Sequence, residues 1–167
     1  FFFEEFMPHV EQQYRIRREK RYRAVAGLSM GGGGSFVYAL RHPELFSSAC
    51  PLSASTGPLT LEDTRRWVER RGDGNYSGEQ IETYYQRHSV LQLIEAMPEE
   101  NKDALRWYID CGDDDFLYEG NSLAHIAMRK KEIPHEFRVR DGGHTWTYWR
   151  ESLPVVLAFV SDAFHQY

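Results

Sequence analysis

The sequence is poor in cysteine, with two thiols, Cys50 and Cys111, in 167 residues. That is too few for a disulfide framework, and the pair has no metal-site spacing. Long apolar runs are also missing. Nothing approaches the ~18 consecutive residues that a bilayer-crossing helix needs, so no membrane partner is expected. Basic charge is not in excess either: 20 Lys and Arg against 25 Asp and Glu leave a net charge of −5. A nucleic-acid partner held by bulk electrostatics is therefore not expected. Internal repeats, low-complexity segments and Asn-Gly hairpin signals between the strands are absent, as are an initiator Met and a signal-peptide pattern around Phe1-Phe2-Phe3. What is present is core material. Hydrophobic residues make up 41% of the chain, among them ten Phe, ten Tyr and four Trp, which excludes disorder and collagen-like repeats.

Hydrophobic spacing predicts α/β architecture. Phe3, Phe6, Val10 and Tyr14 suit one face of a leading helix, interrupted by Pro8. The basic run from Arg15 to Arg23 reads as a solvated helix end and loop. Residues 22–28 form a short buried strand that runs into Ser29 and four glycines, followed by a helix over 35–40 that His42-Pro43 terminates. A second strand is expected over 46–53. The polar stretch 55–102 carries two helical candidates, 61–70 and 79–97, around a turn at 72–75. Strands are expected again at 106–111 and 136–140. Between these two lies a helix over 119–132 with Leu123, Ile126 and Ala127 inward. A last helix over 148–164 has Leu153, Val156, Leu157 and Val160 at helical spacing and Pro154 near its start. Short apolar strands separated by helices imply a mostly parallel sheet covered on both faces.

The strongest chemical signal is Gly27-Leu28-Ser29-Met30-Gly31, a G-x-S-x-G pattern between a predicted strand and a predicted helix. A nucleophile elbow strains the serine backbone, and side chains two positions to either side are expected to collide with the neighbouring strand and helix. The rival reading, a phosphate-cradling loop, requires a lysine before its Ser or Thr, and none is there. A serine nucleophile needs a base, and the base needs an orienting carboxylate. Both follow in order, each after a predicted strand, in Gly112-Asp113-Asp114-Asp115 and Gly142-Gly143-His144-Thr145-Trp146. Loops at the carboxyl ends of parallel strands face one edge of the sheet, so these sites can converge. Of seven histidines, His144 alone occupies a glycine-rich loop after a strand. Three aspartates compete for the acid; Asp115 is the choice, with Asp114 and Asp113 behind it. Calcium loops alternate their ligands, and this run is contiguous, so no metal is expected.

The segment 22–53, with Gly-Leu-Ser-Met-Gly-Gly and His-Pro-Glu-Leu-Phe, resembles the esterase D-like branch of the α/β hydrolases, which includes feruloyl and acetyl-xylan esterases, S-formylglutathione hydrolases and mycolyltransferases. Ile109-Asp110-Cys111-Gly112 through Phe116-Leu117 and Gly143-His144-Thr145-Trp146 match its later blocks. The resemblance implies the α/β-hydrolase fold and assigns the acid to Asp115, the base to His144 and one oxyanion-hole donor to the backbone N–H of Met30. It also implies that residues 1–167 are the later portion of one hydrolase domain, with a variable cap-like insertion at about 56–102. A second oxyanion donor then belongs to an earlier loop, and the preceding part of the domain is the expected partner.

The expected activity is ester hydrolysis through an acyl-enzyme, without metal or cofactor, and the resemblance implies small-acyl or hydroxycinnamoyl esters of carbohydrates as substrates. Trp146, two residues after the base, is a candidate substrate contact. S-formylglutathione-type thioesterase activity, acyl transfer of the mycolyl type and a non-enzymatic binding module are the competing readings.

Overall fold

The computed structural model describes residues 1–72 and 76–165, so the turn expected at 72–75 lies largely outside the described residues. Among the described residues, four parallel strands, β1 (Ala24–Leu28), β2 (Ser48–Leu52), β3 (Arg106–Gly112) and β4 (Glu136–Arg140), lie side by side in chain order. A leading helix α1 (Met7–Gln13) is preceded by a wider helical turn over Phe2–Phe6. Helix α2 (Met30–Arg41) links β1 to β2, and α3 (Leu61–Arg71), α4 (Gly78–His88) and α5 (Val90–Glu95) link β2 to β3. Helix α6 (Tyr118–Lys130) links β3 to β4, and α7 (Trp146–His165) follows β4. Among the described residues, no helix is long and apolar enough to cross a membrane.

The two-residue period of β3 distributes its side chains between two cores. Trp107 and Ile109 pack with Phe36 and Leu40 of α2, Val90 and Ile94 of α5 and Met128 of α6. Tyr108 points the other way and packs with Cys50, Leu52 and the Tyr148, Val156 and Phe159 face of α7. Both cysteines are free and buried. Burial pushes each thiol up to about 12, against Arg106 at Cys50 and with Asp115 at Cys111. Neither supplies thiolate near neutral pH.

Several elements depart from the sequence expectation for identifiable reasons. Residues 79–97 form two helices rather than one. The Val90 N–H donates to the Thr56 carbonyl, and Gly57, at φ +74, lies so close to His88 that a Cβ there would meet its carbonyl oxygen at 2.1 Å. The loop after β2 thus captures the chain at Ser89 and turns Val90 and Ile94 into the core. Helix α3 starts at a capping box, with Thr60 and Asp63 exchanging side-chain and backbone bonds, and α4 starts at another between Ser77 and Gln80.

Helix α7 begins at Trp146, so Pro154 lies within it rather than at its first turn. The bond proline cannot make falls on the exposed side of the helix. The buried stripe of α7 is Tyr148, Ser152, Val156, Phe159 and Ala163. Leu153 and Leu157, which share the helical spacing of Val156, are 50% and 59% exposed, and in α6 Ile126, expected inward, is exposed while Ala124 and Met128 are buried.

Candidate active site

The loops at the carboxyl ends of β1, β3 and β4 bring Ser29, Asp115 and His144 together. Ser29 sits between β1 and α2 at φ 56 and ψ −118, a conformation that costs a non-glycine residue energy and persists only when its surroundings enforce it. Three backbone bonds do so. The Ser29 N–H donates to Leu52, and the Ser29 carbonyl accepts from Gly33 at 3.1 Å and Ser55 at 2.9 Å. Gly27 is required by contact, because a Cβ there would lie 2.3 Å from the Gly31 carbonyl oxygen. The matching expectation for Gly31 is corrected: a Cβ at that position meets open space. The close approach falls instead on Gly32 and Gly33, where added carbons would meet Leu52 O at 2.7 Å and Ser55 O at 2.1 Å. Here α2 leans against the end of β2.

His144 Nε2 lies 2.9 Å from Ser29 Oγ, and its Nδ1 lies 2.9 and 3.0 Å from the two carboxylate oxygens of Asp115. The Asp115 side chain is fully buried, and its Oδ1 also accepts the Leu117 N–H at 2.8 Å. With Nδ1 facing a carboxylate, the neutral ring carries its proton there and turns a lone pair on Nε2 toward the serine hydroxyl. Of the three consecutive aspartates only Asp115 reaches the imidazole. Asp113 accepts the Gly142 N–H at 3.0 Å, and the Asp114 N–H donates to the Gly142 carbonyl, knitting the acid loop to the histidine loop. The carboxylates of Asp113, Asp114 and Asp141 lie within 4.8 Å of one another at the exposed surface. Among the other histidines, His42 faces Glu44 at 3.2 Å and His125 faces His135 at 2.7 Å.

Met30 opens α2 as a residue 84% exposed, and its N–H belongs to the first turn, whose donors lack intrahelical partners. Trp146 is exposed at the start of α7, with its ring edge-on to Trp149. Trp149 is in turn edge-on to His144 at 4.8 Å and donates its indole N–H to Ser53 Oγ. Sequence reasoning missed Phe116, which is 77% exposed with its ring 4.6 Å from His144. Its place beside Asp115 was the available signal. It also missed Asn121, fully buried on α6, which bonds both the N–H and the carbonyl of Ala54 and fixes the loop after β2.

A parallel sheet crossed by helices, with a strained serine on a strand–turn–helix elbow, is the α/β-hydrolase fold. Within that class the Esterase family model matches residues 1–160, and the chain belongs to this family. An acetyl esterase of Caldicellulosiruptor saccharolyticus is 23% identical over 157 residues, covering 87% of this chain and 56% of that protein. The S-formylglutathione hydrolase of Bos taurus is 28% identical over 143 residues, covering 83% and 45%. A solved ferulic acid esterase superposes with a TM-score of 0.80 at 38% identity, covering 98% of this chain and 60% of that one. The chain spans about half the length of these curated relatives.

Proposed function

We propose that the protein is a serine carboxylic-ester hydrolase, with Ser29 as nucleophile, His144 as general base and then acid, and Asp115 orienting the imidazole. The observation that carries this reading is the unbroken hydrogen-bonded line from Asp115 through His144 to Ser29 Oγ. His144 Nε2 takes the hydroxyl proton as Oγ bonds to the ester carbonyl carbon. The Met30 N–H stabilises the oxyanion, and His144 then protonates the departing alcohol oxygen. Water attacks the acyl-enzyme with its proton passing to Nε2, and collapse returns a proton to Ser29 and releases the carboxylic acid. These steps call for no metal or cofactor.

For the substrate we infer small-acyl or hydroxycinnamoyl esters of carbohydrates. The names of the acetyl esterase and ferulic acid esterase relatives support this. So does the aromatic surface: Phe116 stands exposed beside His144, Trp146 stands exposed against Trp149, and Trp67 stacks on Tyr84 at 5.3 Å in the 56–102 region. That pair lines a cleft of about 350 Å³ with Asp63, Arg70 and Ser55. Ser55 is also the residue whose N–H bonds to the Ser29 carbonyl. An aromatic floor with polar walls suits a sugar ring. Trp67→Ala is expected to raise KM for a sugar-linked ester about tenfold and to leave p-nitrophenyl acetate kinetics unchanged. Equal KM values for the sugar ester would remove the cleft from the substrate path.

The bovine relative favours a second reading, hydrolysis of S-formylglutathione. A panel of methyl ferulate, acetylated xylan and S-formylglutathione separates the two; a preference for the thioester would overturn the carbohydrate assignment.

The proposed partner is the earlier part of the same hydrolase domain, along the outer edge of β1. An edge strand presents unpaired backbone groups. Beside it runs an apolar groove of about 510 Å³ lined by Phe6, Val10, Ile16, Leu153, Leu157 and Phe164. Running the same panel on this chain alone and with the preceding polypeptide checks that assignment, with turnover expected to be higher in the longer form.

A further inference from the structure

Asp110 is a fully buried carboxylate on β3, five residues before Asp115. An ionised carboxylate in an apolar core is costly unless it is paired and hydrogen-bonded. Asp110 has three donors. Tyr108 Oη donates to Oδ2 at 3.0 Å, Arg140 Nη2 to Oδ2 at 3.2 Å, and Tyr148 Oη to Oδ1. Burial, together with the Asp110 charge and hydrogen bond, pushes both phenols above the ordinary tyrosine range, so both remain protonated donors. Arg140, whose guanidinium lies over the Tyr148 ring, also donates to Ser152 Oγ.

The positions of these donors in the chain are informative. Arg140 is the last residue of β4 and Tyr148 lies in the first turn of α7. The five residues between Arg140 and Trp146 form the loop that carries His144. One carboxylate therefore holds both stems of that loop. The Tyr148 ring also lies directly against the loop, where a Cβ on Gly142, at φ +135, would meet Tyr148 Cδ2 at 2.9 Å.

We propose that Asp110, acting through Tyr148 and Arg140, is a positioning residue for His144: a buried clamp that sets the imidazole against both Ser29 and Asp115. The clamp touches no reacting atom and rests on the functional reading above. A one-ångström displacement of a catalytic group is enough to cost on the order of 10² in rate.

Tyr108 provides an internal control. It donates the same kind of bond to the same carboxylate from a comparably buried position, but it lies on β3 and not on the histidine loop. Tyr148→Phe and Tyr108→Phe each remove one hydroxyl and keep the ring. Both variants are expected to fold and to lose similar stability. In the protein's full polypeptide, Tyr148→Phe is expected to lower kcat about tenfold with KM within about twofold, whereas Tyr108→Phe leaves both unchanged. A second readout needs no turnover. A downfield proton resonance of His144 Nδ1–H is expected to be sharp in the unaltered protein, to broaden or vanish in Tyr148→Phe and to persist in Tyr108→Phe. If the two variants behave alike in kcat and in this resonance, Asp110 is only a structural bond and the proposal is overturned. An unaltered protein with no ester turnover overturns the functional reading instead, and the resonance comparison still decides the clamp.

Discussion

Ser29→Ala is expected to lower ester turnover on the order of 10⁶ in the protein's full polypeptide, as loss of a nucleophile does in serine hydrolases generally. The expectation follows from geometry: Ser29 Oγ is the atom facing His144 Nε2. Alanine keeps the elbow. The strained φ of 56 is enforced by backbone bonds from Gly33 and Ser55 and to Leu52, none of which uses the hydroxyl. The variant should therefore fold, and what remains of its activity comes from oxyanion stabilisation and substrate binding. Initial rates on p-nitrophenyl acetate, with circular dichroism to verify folding, check this. Turnover surviving at more than about a hundredth of the original would assign the nucleophile elsewhere.

Asp115→Asn is expected to lower kcat on the order of 10⁴, the size of effect seen when the orienting carboxylate of such a site becomes an amide. Both carboxylate oxygens face Nδ1 within hydrogen-bond distance. An asparagine amide there donates to Nδ1 and drives the ring proton to Nε2. The lone pair that would accept the Ser29 proton is then gone, although no atom has moved far. Asparagine retains an oxygen for the Leu117 N–H, so folding should survive. Asp114→Asn serves as the comparison, since Asp114 bonds the histidine loop through its backbone and not its side chain. Its kcat should stay near that of the unaltered protein. A large loss at Asp114 with little at Asp115 would reverse the assignment of the acid.

Much of the fold was legible because its strands are short, apolar or alternating, and punctuated. The expected strand 136–140 coincides with β4, and 106–111 falls one residue short of β3. Less legible were features set by tertiary contacts. The break at Ser89 depends on a carbonyl of Thr56 more than thirty residues earlier, so the periodicity of 79–97 carries no trace of it. Leu153 and Leu157 have helical spacing but lie beside the stripe that Tyr148 and Ser152 anchor toward the sheet. Spacing alone cannot choose between adjacent faces of an apolar helix.

At the site, residue order along the chain was enough to bring Ser29, Asp115 and His144 forward. The resemblance singles out Asp115 among three neighbouring aspartates, and the loop path adds a physical reason, since Asp113 is drawn away to the Gly142 N–H. The supporting network was invisible for another reason. Asp110 reads as one polar residue in an alternating strand, and its three donors come from positions 2, 30 and 38 residues away. Gly31 was overread. It belongs to the familiar pattern, yet the physical contacts fall on Gly27, Gly32 and Gly33.

The central claim is that Ser29 becomes covalently acylated. Its most direct test is to treat the full polypeptide with a fluorophosphonate ester, which traps activated serines, and to map the adduct by peptide mass. The account predicts one equivalent of label on the peptide containing Ser29, abolished by Ser29→Ala and strongly slowed by Asp115→Asn. Label on another residue, or continued ester hydrolysis with Ser29 unmodified, would contradict it.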